Sequence, residues 1–572
     1  MYKGIAGSEG IGIGNVVLVK SREIAYEESS ALSAEEEKKR FEEAVDKFVE
    51  DTTRMAEDMR ERIGEKESEI LMGHTLMIQD PSIADEIKSQ IDTGLTAEAA
   101  TAAVLDMFAG IFAATDDELT KQRAADIGDI KVRLLKIMLG ISDVDLSALP
   151  PNSVIAANDL TPSMTAGINK DNIVGILTET GGRTSHSAIL ARALEIPAVL
   201  SIENVTELLS DGDKVIVDGI KGECIADPTD EEIKTYTLKM EEYNEQKREL
   251  LKYAGKPTAT GDGRVVELVG NIGTADEAKP AAERDAEGIG LFRTEFLYMD
   301  NDALPSEDEQ FEAYKKAALT FGDKPVIIRT LDVGGDKDIP YLGLEKDENP
   351  FLGFRAVRFC LAREDVYKPQ IRALLRASAF GNIKIMIPLV TCVDEVRAVK
   401  ELVRSIMAEL DAEGVEYNRD IQIGVMIETA AASLIADLLA KEADFFSIGT
   451  NDLTQYTMSV DRGNAKVAYL YSVYNPAVLR SIKRVIECGS EAGITVGMCG
   501  EAAADPLLAP LLVSFGLDEY SVNPVSILKT RKNISLWTKA EADKVAAEAM
   551  SCATESEVKA VLEKAAESKY GA

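Results

Sequence analysis

Short apolar runs alternate with stretches of helical spacing through the second half of the chain, from residue 256 onward. The runs lie at residues 265–272, 288–295, 325–333, 383–390, 423–428, 445–450, 495–501 and 520–524. Such runs indicate parallel strands, because helices cover both faces of a parallel sheet. Eight of them within residues 256–572 predict a closed (β/α)8 TIM barrel, with an open doubly wound sheet as the alternative.

The chain before residue 256 shows other patterns. Residues 1–20 and 146–227 combine strand-like runs with a short helix, which indicates one discontinuous α/β domain. Between them, residues 21–145 repeat apolar residues at helical spacing and predict an inserted all-α helical bundle. Residues 228–255 are charged and helical and predict a linker helix. The predicted fold class is therefore α/β multidomain with a C-terminal barrel.

The charge of the chain narrows the possible partners. Its formal net charge is −36, which argues against nucleic acid as a partner because a polyanion would be repelled. The predicted bundle holds 30 acidic residues against 15 basic ones in positions 21–145. Such a surface would attract a basic protein partner, and plain solubility is the alternative explanation.

The apolar runs, the N-terminus and the cysteines indicate the cellular compartment of the protein. No apolar run approaches the roughly 18 residues that a membrane span needs, and the N-terminus lacks the pattern of a signal peptide. The six cysteines are scattered without a paired framework, which favours a reducing compartment. We therefore expect a cytoplasmic protein without membrane insertion.

Charged and polar side chains lie at or just beyond the ends of several predicted strands. They are Arg293, Arg329, Arg355, Glu428, Asn451, Asp452 and Arg462, with Cys499 at the seventh strand. Active sites of TIM barrels gather at these strand ends, so the side chains are expected to converge. Arginines pair with phosphate and carboxylate oxygens, and two carboxylates beside a phosphoryl ligand suit Mg²⁺. The pattern predicts a small phosphorylated carboxylic acid as substrate. A surface ion pair is the alternative for any single arginine, and a core position is the alternative for Cys499.

Histidine occurs only at positions 74 and 186. His186 follows a Gly-Gly-Arg-Thr-Ser run and begins a predicted helix, with Thr184 or Ser185 as the N-cap. The helix dipole there disfavours imidazolium and stabilises an anion, so the ring is suited to accept and hold a phosphoryl group. A buried structural histidine is the alternative. His74 has apolar neighbours and is predicted to be a structural or interface residue.

Several motifs resemble those of the PEP-utilising enzymes, which exchange phosphate with phosphoenolpyruvate. GGRTSHSAILAR, at residues 181–192, resembles their phosphohistidine motif. GLFRTEFLYM, RTLDVGGDK, NPFLGFRAVR, GTNDLTQYTMSVDR and VGMCGE resemble their barrel motifs. The order of the predicted domains is similar to the enzyme I family of the bacterial sugar phosphotransferase system, and the resemblance covers essentially the whole chain.

The resemblance implies a reaction. Phosphoenolpyruvate phosphorylates the catalytic His186, which passes the group to a histidine of the phosphocarrier protein HPr. Cys499 protonates the enolate to give pyruvate, and Glu428 and Asp452 hold Mg²⁺. The substrate-binding residues implied are Arg293, Arg329, Asn451, Asp452, Arg462, Arg355 and Lys337. Thr165 is a candidate hydrogen-bond partner of the resting histidine.

The resemblance also implies an architecture. The phosphohistidine domain swivels about the linker helix at 228–255, HPr docks on the acidic bundle, and the barrel forms a homodimer. Pyruvate phosphate dikinase and phosphoenolpyruvate synthase share the motifs, but they need a large nucleotide-grasp domain ahead of the histidine. A non-catalytic binder of phosphoenolpyruvate is a further alternative, which loss of His186 or of a metal carboxylate would indicate.

Overall fold

The computed structural model describes residues 1–19, 24–62, 65–113, 118–141, 146–165, 168–182, 185–299, 301, 303–334, 339–344 and 348–570. The chain divides into two compact units, Met1–Lys247 and Arg248–Ala572. Within the described ranges, no helix combines the length and apolar character that crossing a membrane requires.

The first unit contains an eight-stranded sheet. Its strands are β1 (Tyr2–Lys3), β2 (Ile5–Ser8), β3 (Ile11–Val19), β4 (Ser153–Ala157), β5 (Ile173–Thr178), β6 (Ala198–Leu200), β7 (Lys214–Asp218) and β8 (Glu223–Ala226). Their order is β1-β8-β7-β3-β4-β5-β6-β2, and β3, β4, β5 and β6 are mutually parallel. Three short helices connect them, α6 (Pro162–Thr165), α7 (His186–Ala193) and α8 (Val205–Leu208).

Among the described residues, five helices lie between β3 and β4 in the chain and form a bundle. It consists of α1 (Ala34–Arg62), α2 (Glu65–Ile78), α3 (Pro81–Asp92), α4 (Ala97–Ala113) and α5 (Glu118–Leu139). The helical spacing of Phe41 and Phe48 places both on one face of α1, and they are buried in the bundle core with Leu134 of α5. His74 is 1% exposed and faces two aspartates of α5, Asp126 at 3.5 Å and Asp129 at 3.8 Å.

A long helix, α9 (Asp230–Leu251), contains the division between the two units. Tyr236 on its first half packs against Ile11, Ile216 and Ile225 of the sheet. The helix lies within the segment predicted as a linker. The domain boundaries proposed from the sequence remain predictions.

The second unit is a closed barrel of eight parallel strands. They are β9 (Glu267–Ile272), β10 (Ile289–Arg293), β11 (Val326–Arg329), β12 (Ile383–Ile387), β13 (Ile423–Ile427), β14 (Phe445–Ile448), β15 (Thr495–Met498) and β16 (Glu519–Val522). Each pairs with the next along the chain, and β16 returns to pair with β9. The barrel prediction is thus confirmed and the open-sheet alternative is wrong.

Helices surround the barrel. They are α10 (Ala278–Glu283), α11 (Glu295–Met299), α12 (Glu307–Phe321), α13 (Ala356–Ala362), α14 (Glu364–Ala377), α15 (Val393–Glu413), α16 (Ala430–Leu434), α17 (Ala436–Leu439), α18 (Thr450–Met458), α19 (Pro476–Ala492), α20 (Ala509–Phe515), α21 (Ile527–Ser535), α22 (Lys539–Ser551) and α23 (Glu555–Tyr570). Most strands end earlier than the apolar runs suggested, because the chain turns away to reach the next helix. The polar residues beyond each strand therefore lie on the loops of the carboxyl end.

Candidate active site

Two buried arginines at the carboxyl ends of the strands share one aspartate. Arg329 ends β11 and Arg355 precedes α13, and their exposed fractions are 6% and 3%. Asp332 lies between them, with Oδ2 3.1 Å from Arg329 Nη1 and Oδ1 2.7 Å from Arg355 Nη2. A carboxylate that bridges two guanidinium groups fixes the orientation of both, because each planar fork pairs in a defined direction.

Glu295 and Tyr456 complete what we term the arginine cluster, together with Arg329, Asp332 and Arg355. Arg329 Nη2 donates to Glu295 Oε1 at 2.6 Å. Arg355 Nη1 donates to the Tyr456 hydroxyl at 3.3 Å, and that hydroxyl donates to the Phe351 carbonyl at 2.6 Å. Burial opposes the charge on both arginines, but the neighbouring carboxylates raise the pKa of each above its usual value. Both side chains therefore stay cationic.

Arg329 and Arg355 each have one N–H group without an acceptor among the described residues. The Nε atoms of Arg329 and Arg355 are buried without a hydrogen-bond partner in the part of the chain that the structure describes. Buried polar groups normally find partners, so an unpaired donor indicates room for a ligand. An anion with several oxygen atoms, such as a phosphate or a carboxylate, matches the fork geometry of arginine.

Glu428 lies directly after β13 and is 2% exposed. Its Oε1 accepts a hydrogen bond of 2.6 Å from the Leu389 amide, and Leu389 has a φ of 53°. This left-handed conformation is unusual for a branched residue and typical of strained functional sites. Burial, with Asp452 and Asp332 nearby, raises the pKa of Glu428 to about 8. A bound cation would relieve that repulsion.

Glu428 and Asp452 could hold Mg²⁺. Both supply oxygen atoms, and Mg²⁺ commonly takes one or two carboxylates and completes its shell with substrate oxygens and water. Within the described ranges, no three His, Cys, Asp or Glu side chains are grouped as a metal cage. Glu428 and Asp452 supply two carboxylates, a number that Mg²⁺ commonly takes from a protein.

The other predicted ligands lie on neighbouring loops. Asn451 and Asp452 occupy the first turn of α18, and Arg462 Nη1 lies 4.0 Å from Asp452 Oδ1. Arg293 ends β10 with an exposed side chain. Lys337 lies outside the described residues.

Cys499 follows β15 on the inner side of the barrel, with only 7% of its surface exposed. Its sulfur lies 3.8 Å from the Ile448 carbonyl, which accepts a weak hydrogen bond. Burial raises the pKa of the thiol to about 11. The side chain is therefore a protonated thiol at neutral pH, which is the state that a proton donor needs.

In the first unit, His186 is the first residue of α7. Ser185 is the N-cap, and its hydroxyl accepts from the Ala188 amide at 3.3 Å. Gly181 has a φ of +102°, and a Cβ there would lie 2.9 Å from the Ser185 hydroxyl, so only glycine suits this turn. The predicted N-cap is thus confirmed for Ser185, whereas Arg183, Thr184 and the ring of His186 lie outside what the structure describes.

Ser187, beside His186, anchors the start of α7. It is fully buried, and its hydroxyl donates to Asp159 at 2.6 Å and accepts from the Leu160 amide at 3.3 Å. These bonds join α7 to the segment that leads into α6. The side chain of Thr165, at the end of α6, is not among those described.

Comparison with known proteins decides the family. Three family models match: "PEP-utilising enzyme, N-terminal" over residues 3–123, "mobile domain" over 149–222 and "PEP-binding domain" over 247–538. The phosphoenolpyruvate-protein phosphotransferase of Priestia megaterium is 46% identical over 540 residues, 94% of each chain. Those of Geobacillus stearothermophilus and Listeria monocytogenes are 46% and 44% identical, over 97% and 98% of this chain and 96% and 98% of their own.

This chain belongs to the PEP-utilising enzymes. Within that family it belongs to the phosphoenolpyruvate-protein phosphotransferases, the enzyme I group, as its motifs predicted. Among the described residues of this PEP-utilising enzyme, the barrel brings together Arg329, Arg355 and Glu428 with Asp452 nearby.

Sequence reasoning missed the residues that hold these groups. Asp332 and Glu295 fix the two arginines, Tyr456 supports Arg355, and Leu389 donates to Glu428. Asp332 and Glu295 lie within the barrel motifs, three and two residues after Arg329 and Arg293. That spacing was the available signal, since a buried arginine needs a carboxylate partner.

Proposed function

We propose that the chain transfers the phosphoryl group of phosphoenolpyruvate to His186 and then to a histidine of HPr, with release of pyruvate. The arginine cluster is the observation that carries this proposal. It presents two buried cations, each with an Nε–H group that has no acceptor among the described residues, beside a buried carboxylate. The arginine cluster and Glu428 therefore fit a small acid that carries at least two negative charges and shares a bound metal ion.

Each of the predicted substrate-binding residues has a role in this proposal. Arg329, Arg293 and Arg462 neutralise the phosphoryl oxygens, while Arg355, Asn451 and Lys337 orient the rest of phosphoenolpyruvate. Phosphoryl transfer depends mainly on such positioning and charge neutralisation. Glu428 and Asp452 would hold Mg²⁺, which would supply further positive charge beside the transferred phosphoryl group.

The chemical step exchanges one bond to phosphorus for another. A ring nitrogen of His186 attacks, the P–N bond forms, and the bond from phosphorus to the enol oxygen breaks. The enolate takes its proton at carbon from the Cys499 thiol, which gives pyruvate. The position of His186 at the start of α7 favours a neutral ring before attack and stabilises the phosphoryl anion afterwards.

The second transfer needs another partner. The acidic bundle of α1–α5 is the proposed docking surface for HPr, whose approach its charge would favour. One histidine must serve two sites, so we expect the α/β domain to swivel about α9 in a hinge motion. We further propose a homodimer through the barrel and a cytoplasmic location, where the six free cysteines would stay reduced.

Labelled phosphoenolpyruvate tests the proposal. The purified protein is mixed with Mg²⁺ and the labelled substrate, with and without HPr. Wild type should take up acid-labile label, and HPr should remove it. His186→Ala should take up none, whereas His74→Gln, at the other histidine, should label normally. Absence of label in wild type, or equal label in His186→Ala, would contradict the proposal.

Transfer of a labelled phosphoryl group from phospho-HPr to His186 tests the second half-reaction without phosphoenolpyruvate. Glu428→Gln and Cys499→Ala should slow pyruvate formation but leave transfer between phospho-HPr and His186 largely intact. If Cys499→Ala impairs both reactions equally, Cys499 has a structural role only.

A further inference from the structure

Arg462, one of the predicted substrate-binding residues, is held differently from the buried Arg329 and Arg355. Its side chain is 38% exposed, and its Nη1 lies 4.0 Å from Asp452 Oδ1, a long distance for an ion pair. An exposed ion pair of that length contributes little to the position of either side chain. The position of Arg462 therefore depends on the backbone that carries it.

A turn after α18 brings the chain back toward the start of that helix. Ser459 follows the last residue of α18 and has a φ of 56°, the left-handed conformation that commonly ends a helix. The Ser459 and Val460 amides both donate to the Gln455 carbonyl, the latter at 3.0 Å. The chain reverses here, and Arg462 consequently lies near Asp452, in the first turn of the same helix.

The side chain of Gln455 holds the far end of this turn. It is only 3% exposed, and its Oε1 accepts a hydrogen bond of 3.1 Å from the Arg462 amide. Gln455 thus bonds the turn twice, through its main-chain carbonyl at the beginning and through its side chain at Arg462. Asn451 and Asp452 lie four and three residues before Gln455, a spacing that places all three on one face of α18. One helix therefore supplies two predicted ligands and the group that returns a third to them.

The rest of the loop after α18 is attached at a separate point. The Tyr471 hydroxyl donates to the Asn451 carbonyl at 3.1 Å. Residues 463–466, between the two attachments, are exposed, and the Gly463 and Lys466 amides donate to side chains within the loop itself. Gln455 is therefore the point at which the Arg462 end of the loop is tied to α18.

Packing alone would not favour glutamine at position 455. Its Nε2 is buried without a hydrogen-bond partner in the part of the chain that the structure describes. An unsatisfied buried N–H group costs free energy, and an apolar side chain of the same length would avoid that cost. The remaining advantage of glutamine is the acceptor that its Oε1 offers to the Arg462 amide.

We propose that Gln455 is a positioning residue that holds Arg462 against the phosphoryl group of phosphoenolpyruvate. The inference rests on the proposed function, in which Arg462 neutralises phosphoryl oxygens. Gln455 does not touch the substrate in this scheme and acts through the backbone of Arg462.

Steady-state kinetics of Gln455→Met test the inference, with pyruvate formation measured in the presence of Mg²⁺ and HPr. Methionine matches the length of glutamine but offers no comparable acceptor. The phosphoryl oxygens are charged in the bound substrate and in the transition state alike, so a displaced Arg462 should weaken the binding of both. We expect KM for phosphoenolpyruvate to rise about tenfold, the upper end for one lost hydrogen bond, with kcat changed by less than about twofold.

A double-mutant cycle shows whether Gln455 acts through Arg462. Arg462→Ala should itself raise KM, because a contact with the phosphoryl group is lost. In that background Gln455→Met should change KM by less than about twofold, since the guanidinium group that Gln455 positions is gone. An equal further rise in KM would show that Gln455 acts on another group, and the inference would be wrong.

Gln310→Met is the matched control. Gln310 is a buried glutamine of α12 whose amide is bonded at both atoms, with Nε2 donating to the Pro305 carbonyl at 3.1 Å and Oε1 accepting from the Tyr298 hydroxyl at 3.1 Å. Its loss should lower the free energy of unfolding, measured by the fluorescence of the buried Trp537, and leave KM unchanged. Gln455→Met should do the reverse, with a raised KM and little change in stability.

The outcomes separate the alternatives. A wild-type KM in Gln455→Met, beside a raised KM in Arg462→Ala, overturns the inference and leaves the proposed function intact. A fall in kcat and in stability without a change in KM shows a structural role and also overturns it. If Arg462→Ala keeps the wild-type KM, or if wild type forms no pyruvate, the proposed function fails at that point and the inference fails with it. Transfer from phospho-HPr to His186 should stay normal in every variant, because each substitution lies in the barrel unit.

Discussion

The arginine cluster and the start of α7 support their functional groups in opposite ways. In the barrel, buried charges hold one another through side chains, as Asp332 holds Arg329 and Arg355. At the start of α7 the Ser185 hydroxyl caps the helix by accepting from the Ala188 amide, and the Ser187 hydroxyl donates to Asp159. A rim that must bind a charged small molecule gains from charges fixed in advance. The proposed role of His186 as a phosphoryl carrier gains from its place at a helix start, where the helix dipole favours both the neutral ring and a phosphoryl anion.

The pKa values of carboxyl groups shift in opposite directions in the two units. Burial raises the pKa of Glu428 and of Glu519 to about 8. In the first unit, hydrogen bonds from Thr206 and Asn158 lower the pKa of Glu179, which follows β5. The barrel therefore pays in stability for acids kept neutral or close together, whereas the sheet uses its carboxylates as structural acceptors.

Among the tests proposed here, removal of the shared Asp332 carboxylate should have the largest effect. Asp332→Asn leaves two buried guanidinium groups short of a carboxylate, a loss of about 3–5 kcal/mol for a broken buried pair. We expect kcat/KM for phosphoenolpyruvate to fall about a hundredfold to a thousandfold. Transfer from phospho-HPr should not change. Asp365→Asn, in an exposed pair with Arg363, is the control and should affect neither reaction.

The raised pKa of Glu519 should make the free energy of unfolding depend on pH. Folded Glu519 keeps its proton up to about pH 8, whereas its ordinary pKa is 4.5, so rising pH favours the unfolded chain between those values. From pH 5 to pH 7 wild type should lose about 2–3 kcal/mol relative to Glu519→Gln, at about 1.4 kcal/mol per pH unit. Trp537, the only tryptophan in the sequence, is buried in the barrel unit, so its fluorescence reports the unfolding.

Glu179 should behave in the opposite way. Its stabilising contribution is present above the ordinary pKa of 4.5 and is lost as the pH falls below that value. Glu179→Gln should therefore alter stability equally at pH 5 and pH 7. A Glu519→Gln difference that is flat over the same range would contradict the raised pKa of Glu519.

Removal of the Ser185 cap of α7 should have the smallest effect on the reaction rates, and it should slow both half-reactions. Ser185→Ala removes the acceptor of the Ala188 amide, at a cost of about 1 kcal/mol. We expect a fall of a few fold in transfer both from phosphoenolpyruvate and from phospho-HPr. Ser306→Ala removes the comparable cap of α12 in the barrel and should change neither rate. A selective effect of Ser185→Ala on one half-reaction would contradict a shared role of the helix start.

The sequence predicted the barrel because buried parallel strands leave continuous apolar runs, as at Ile383–Ile387. It also predicted Arg329 and Glu428 as rim residues, since their position after an apolar run places them at the strand ends. It could not predict that Asp332 bridges two arginines, because the bridge depends on distances across two loops. The left-handed backbone of Leu389 was equally hidden, since leucine is not a residue that marks a turn.

The bundle has a consequence for folding as well. β3 and β4 are neighbours in the sheet, with Val16 opposite Val154, although the whole bundle separates them in the chain. During synthesis the bundle is complete before β4 emerges, and its folding brings the two ends of the inserted chain together. The entropic cost of closing so long a loop is then largely met before the strands pair. We therefore expect a nascent chain to form the helical bundle first and the eight-stranded sheet second.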